Sequence, residues 1–174
     1  MHTLLKGLEK ISNSANIPMV VTGDLNSVPG SAPHTLMLHQ QVDSDHGDLA
    51  NDPLQLFSGN SAGNGLSHSL DLCSVYAEAF KSAIQSSALE QLRCRLDKLF
   101  HEPACTNISH DFKNTLDYIC YSSSELKPTA LLELPCTLDI LGGDMSRGLP
   151  NAAWPSDHIA LMAEFQFIGP STEN

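Results

Sequence analysis

Apolar residues at Leu4, Leu5, Leu8 and Ile11 recur at helical spacing and predict an amphipathic helix that ends near Asn13-Ser14. Ile17-Pro18-Met19-Val20-Val21-Thr22 follows, a short apolar run with β-branched residues and no polar alternation. That pattern predicts a strand buried on both faces. Gly23-Asp24-Leu25-Asn26-Ser27 sits at its carboxyl end, and Ser31-Ala32-Pro33 opens a second helix, with Ser as the cap and Pro in the first turn. Residues 43–69 read as loop: Asp43, Asp45, Asp48 and Asp52 match no calcium-ligand spacing, and a Ser/Gly/Asn tract follows. Residues 70–76, 116–121 and 130–134 predict further strands, and residues 77–99 are helical in part. From His158 to Phe167 large apolar residues alternate with polar or small ones, which predicts a half-buried final strand. The class is α/β with sheet predominating.

Length and composition narrow this picture. The 174 residues suit one domain. At 41% hydrophobic and 17% charged the chain is globular rather than disordered. No apolar run reaches the ~18–20 residues of a membrane span, and no basic segment before a long apolar stretch marks a signal peptide. Nine Lys+Arg against twenty Asp+Glu give a net charge of −11. A broad basic face for nucleic acid is thereby excluded. A nuclease is not, because an acidic site that recruits a divalent cation grips phosphate through the metal. Cys73, Cys94, Cys105, Cys120 and Cys136 are odd in number and include no Cys-x-x-Cys pair, so neither a zinc site nor a disulfide framework is expected. A reducing compartment, cytosol or nucleus, suits them.

Three acidic spots stand at expected strand ends: Asp24 with Asn26, Asp117, and Asp157 with His158. Rigid strand ends are where α/β proteins place catalytic groups. Phosphodiester hydrolysis needs a group to orient water, donors for the non-bridging oxygens and a cation to absorb charge. Asp24 suits the first role, Asn26 the second and Asp157 the third. His158, backed by Asp117, suits contact with the scissile phosphate as a cation. Taken singly, Gly-Asp-x-Asn after a strand is equally ordinary turn chemistry. The histidines His34, His39, His46, His68, His101 and His110 are expected at the surface or in loops.

Val20-Val21-Thr22-Gly23-Asp24-Leu25-Asn26-Ser27, Leu116-Asp117-Tyr118-Ile119 and Pro155-Ser156-Asp157-His158-Ile159-Ala160-Leu161, in that order, resemble the endonuclease/exonuclease/phosphatase superfamily, whose fold resembles DNase I. More narrowly, Arg95-Leu96-Asp97, Glu102-Pro103-Ala104-Cys105-Thr106-Asn107 and Asp111-Phe112-Lys113 through Tyr121 resemble the carbon catabolite repressor four deadenylases, the magnesium-dependent poly(A) 3′-exonucleases of the Ccr–Not complex. The resemblance implies a DNase-I-like sandwich of two sheets flanked by helices, of which residues 1–174 correspond to the C-terminal half, with no second domain. It implies Asp24, Asn26, Asp117 and His158 as catalytic residues, and Asn26 also as a phosphate ligand. Phe112 matches a position where an aromatic ring stacks on adenine, against the plainer alternative of a core Phe at a strand edge.

Asp157 and Asp24 would lie at the metal, Mg2+ or Mn2+. The principal metal Glu of the family lies in its N-terminal half. Glu9 is the only Glu upstream of Asp24, and it sits in the first helix, without the family's strand context. Implied partners are poly(A) RNA and deadenylase-complex proteins, with neither membrane nor DNA, in the cytoplasm and also the nucleus. The alternative is a non-catalytic relative acting through RNA or complex binding. Half a sandwich would also leave apolar sheet surface uncovered.

Overall fold

The computed structural model describes residues 1–15, 17–50, 65–81 and 86–169, and the strand at its centre is Asp117–Ser122. In chain order the described residues form α1 (His2–Ala15), β1 (Val20–Asp24), α2 (Ala32–His39), β2 (Gln41–Val42), α3 (Gly47–Ala50), β3 (Leu66–Ser67) and β4 (Leu72–Ser74). These are followed by α4 (Val75–Lys81), α5 (Ser87–Arg93), β5 (Asn107–Ile108), β6 (Lys113–Asn114), β7 (Asp117–Ser122), β8 (Leu126–Leu131), α6 (Thr137–Ile140) and β9 (Ala163–Phe167). No described helix is long and apolar enough to cross a membrane.

β7 pairs antiparallel with β1 on one side and β4 on the other. Alternate β7 residues therefore face two different layers. Tyr118 and Cys120 pack with Leu5 of α1, Leu36 and Met37 of α2, and Leu72. Ile119 and Tyr121 turn the other way, onto Val75, Tyr76 and Leu92 of α4 and α5 and onto the β8–β9 pair through Leu126, Ala163 and Phe165. The rings of Tyr121 and Phe165 lie 5.3 Å apart across that layer. Helices, a three-stranded sheet and a second sheet are thus stacked on one strand, the mixed α/β architecture expected. A third small core of Ile108, Ile140, Leu141, Leu149 and Ile159 anchors the β5–β6 hairpin to α6.

Several expectations need correction. The strand buried on both faces is β7, not the 17–22 run. β1 starts at Val20, forms an edge of its sheet, and is mostly exposed. The 70–76 strand stops at Ser74, and Val75 and Tyr76 begin α4. The strand expected at 130–134 runs instead over Leu126–Leu131, with a register irregularity at Pro128/Ala130 that accommodates a residue unable to donate to the ladder. The final strand is confined to Ala163–Phe167, and His158 makes only an isolated bridge to Asn107. Within the expected 43–69 loop lie α3 and β3; residues 51–64 fall outside the described residues. Ser31 takes the N-cap position of α2 without capping it. Its hydroxyl donates to the Val28 carbonyl, and Asp48 Oδ2 accepts the Ala32 amide at 2.8 Å.

Two histidines expected at the surface are buried. His34 Nδ1 accepts the Gly30 amide, and its ring lies against Phe100 and Tyr118 with Nε2 3.6 Å from Glu102 Oε1. His68 bridges the Leu36 carbonyl and the Leu70 amide. Large apolar side chains stand uncovered at Ile17, Val20, Met162, Phe167 and Ile168. All five cysteines are free: Cys120 is buried in β7, and burial pushes the Cys73 and Cys105 thiols up.

Candidate active site

β1 ends on Asp24 and β7 begins on Asp117, and the two are register partners. Carboxylates directly opposite on paired strands repel one another, so positive charge between them is stabilising. His158 supplies some. Its Nδ1–H donates to Asp117 Oδ2 at 2.8 Å, and one ligand atom from each of Asp24, Asp117 and His158 lies within 4.8 Å of the others. The hydrogen bond to Asp117 holds His158 above its ordinary pKa, the charges of Asp117, Asp157 and Asp24 add to that, and partial burial opposes it. With Nδ1 donating to a carboxylate, Nε2 is the ring atom left for a substrate.

A third residue completes this arrangement. The Thr106 side chain is fully buried; its hydroxyl donates to the same Asp117 Oδ2 at 2.7 Å and accepts the Leu116 and Asp117 amides at 2.9 and 3.0 Å. Thr106 thereby fixes both the backbone and the carboxylate of Asp117. The neighbouring strands are zipped together by Ile108 N–H to the Asp157 carbonyl and Ile159 N–H to the Thr106 carbonyl. Sequence reasoning missed Thr106. Its only signal is a hydroxyl residue inside the Cys105-Thr106-Asn107 segment, outside any apolar pattern.

Asn26 takes a left-handed backbone, φ +47, and its amide donates to Asp24 Oδ1 at 2.8 Å. Asparagine tolerates that conformation because its short side chain bonds locally. Here the Asn26 side-chain amide approaches Asp24 Oδ2 at 3.5 Å. The turn is anchored from below by the Tyr118 hydroxyl, which donates to the Ser27 carbonyl at 2.7 Å. Burial raises the Tyr118 phenol strongly, so it stays a donor.

The remaining expected residues lie around this centre. Asp157 is not at a strand end and stands outside the Asp24–Asp117–His158 group; its Oδ2 accepts the Asn107 side-chain amide at 3.3 Å. Phe112 projects from the β5–β6 turn and is 39% exposed, so it is not a core residue. Glu9 is tied to Lys6 and to the Ser69 amide and holds no place in the cluster. The donor set of two carboxylates and one imidazole, with Asp24 open to solvent, fits a hard divalent cation. Such ions accept one or two protein carboxylates and keep several waters.

The Endonuclease/Exonuclease/phosphatase family profile matches residues 2–158. Carbon catabolite repressor protein 4 homolog 2 of Arabidopsis thaliana is 48% identical over 166 residues, 95% of this chain and 26% of that protein. Homolog 1 from the same plant is 47% identical over 174 residues, 100% of this chain and 28% of the relative. The CCR4-Not complex 3′-5′-exoribonuclease subunit Ccr4 of Aspergillus clavatus is 35% identical over 165 residues, covering 91% of this chain and 20% of that protein. The chain thus spans under a third of the length of these curated relatives. Among solved structures, ANGEL2, a 2′,3′-cyclic phosphatase in complex with adenosine-2′,3′-vanadate, superposes with a TM-score of 0.61 at 25% identity, over 93% of this chain and 50% of that one. With the profile covering nearly all of its length and the family's acidic and histidine motifs brought to one site, the chain belongs to the endonuclease/exonuclease/phosphatase family.

Proposed function

We propose that this chain carries the Asp–His part of a divalent-metal-dependent 3′-exoribonuclease site that acts on poly(A), and forms the C-terminal half of the family domain. The observation that carries the reading is the Thr106–Asp117–His158 relay facing Asp24 and Asn26. The names of the relatives, carbon catabolite repressor and 3′-5′-exoribonuclease subunit, support the substrate class. The match to half of the ANGEL2 chain supports the half-domain assignment.

In this reading the terminal phosphodiester lies between His158 and Asn26. Asp24 orients a water and takes its proton as the water oxygen bonds to phosphorus. The bond from phosphorus to the 3′ oxygen breaks, that oxygen takes a proton from solvent, and the products are adenylate and an RNA shorter by one nucleotide. Protonated His158 and the Asn26 amide stabilise the charge on the non-bridging oxygens. Asp24 would hold the cation, with Asp157 at the periphery, and the ion, magnesium or manganese, would supply further neutralisation of phosphate charge. Phe112 stacks on an adenine, a contact worth ~1–3 kcal/mol per base. Deadenylase-complex proteins are the proposed partners, since relatives are named as subunits of the CCR4-Not complex, and cytoplasm and nucleus the proposed compartments.

The test is 3′-end shortening of labelled oligo(A) with magnesium by the purified chain mixed with the N-terminal half of a relative's domain, which supplies the family's metal Glu. Shortening abolished by EDTA, Asp24→Ala and His158→Ala is the expected result. A folded chain that neither shortens nor binds oligo(A) overturns the reading. A second reading, an RNA-binding relative without turnover, is favoured by the cluster's holding two carboxylates among the described residues, one of them committed to His158. Binding without shortening selects it.

A further inference from the structure

The β5–β6 hairpin joins the reacting centre to the base-contacting ring. At its base, Thr106 and Asn107 bond Asp117 and Asp157. Ser109, two residues beyond Asn107, lies roughly 7 Å further along the strand. There it meets Phe112 three times: its amide donates to the Phe112 carbonyl, its hydroxyl donates to the same oxygen, and the hydroxyl oxygen accepts the Phe112 amide. The position of the ring relative to His158 therefore depends on what holds the hairpin tip.

Two contacts hold it. Gly148 lies flat against the peptide between Ser109 and His110, where a Cβ would stand 2.2 Å from His110 N, 2.4 Å from Ser109 C and 2.7 Å from His110 Cα. The next residue, Leu149, donates its amide to the Ile108 carbonyl at 2.7 Å. The Lys113 ammonium donates to the Ser109 and His110 carbonyls at 3.0 and 3.2 Å. Lys113 is one of only nine basic residues in a chain of net charge −11, yet its charge is spent on two backbone carbonyls of this turn.

We propose that Gly148 and Lys113 are positioning residues for adenine selection, a clamp that fixes the Phe112 ring over the 3′-terminal base. This rests on the reading of Phe112 as a base-stacking residue. Because the atoms facing Gly148 are all backbone of the Ser109–His110 peptide, an alanine there displaces the tip by about 1 Å or more, a shift that matters at a stacking site. Lys113→Met removes the ammonium and keeps the aliphatic stem.

The experiment measures binding of fluorescent oligo(A) and oligo(U), each with a non-hydrolysable 3′-terminal linkage, to the whole chain with magnesium. The readout is the ratio of the two dissociation constants. Phe112→Ala lowers the adenine preference by roughly five-fold or more. Gly148→Ala lowers it comparably, Lys113→Met lowers it in part, and the Phe112→Ala/Gly148→Ala double variant is no worse than Phe112→Ala alone. A general loss of phosphate attraction or of stability weakens both RNAs alike and leaves the ratio unmoved. If Phe112→Ala collapses the preference while Gly148→Ala and Lys113→Met keep it, the clamp is wrong and the stacking reading stands. If Phe112→Ala itself keeps the preference, the stacking reading falls and the clamp with it. Should Gly148→Ala not fold, Lys113→Met decides alone.

Discussion

Replacing Asp117 by Asn removes one charge and little else, because the amide oxygen still accepts from both Thr106 and His158. The ion pair it removes has an N···O distance of 2.8 Å. Coulomb's law at that separation gives about 1.5 kcal/mol in water and about 6 kcal/mol at an effective dielectric of 20. The side chains of His158 and Asp117 are 34% and 22% exposed, which places the pair nearer the screened limit. We take about 1.5–3 kcal/mol of attraction, all of it favouring the protonated ring. The Asp117→Asn variant should therefore lower the His158 pKa from its raised position. Titration of the His158 imidazole by NMR in both proteins measures this directly.

The same shift has a stability counterpart with a definite sign. A histidine whose folded pKa is raised contributes stability that is complete below its unfolded value and disappears as pH rises through the folded one. Urea unfolding should show the two proteins differing most in acid and converging in alkali. Coincident His158 titrations, or a stability gap that widens with rising pH, would refute the reasoning that Asp117 acts on His158 through its charge.

Three further outcomes follow from the same geometry. Thr106→Val leaves the Leu116 and Asp117 amides without their acceptor, at a cost of about 1–3 kcal/mol read as a lower urea midpoint. It should also broaden the His158 signal, since Asp117 loses its second anchor. Tyr118→Phe removes the bond to the Ser27 carbonyl, worth about 0.5–1.5 kcal/mol. Amide exchange should quicken in the Asp24–Ser27 turn while β4 stays protected. Chelation of divalent cations should raise the His158 pKa only slightly, because a cation at Asp24 opposes the charged ring while the first cause of the raised value is the hydrogen bond to Asp117; under the proposed function it should also abolish 3′-end shortening.

The residues of the candidate site were legible because their chemistry is local to short motifs. Asp24, Asn26, Asp117 and His158 each stand out in sequence, and the register β1:β7 then brings Asp24 and Asp117 together. Burial was less legible. An apolar run reads as doubly buried wherever it occurs, but β1 is an edge strand, and among the described strands only β7 has neighbours on both sides and layers on both faces. β8 was expected too late in the chain because Lys127, Pro128 and Thr129 break its apolar pattern, and a register irregularity absorbs the proline. Thr106 and His34 share another cause: a polar residue buried by tertiary contacts has no period along the chain. Each is identified only by the amide or carboxylate that it meets.

The most direct test of the account is a titration of the chain with adenylate in the presence of magnesium, followed at the His158 ring resonances. The account predicts a saturable shift at His158 that requires magnesium and disappears in Asp24→Ala. A His158 signal that ignores adenylate, or that responds equally with Asp24 replaced and magnesium absent, would contradict the claim that Asp24, Asn26, Asp117 and His158 act together on a phosphate.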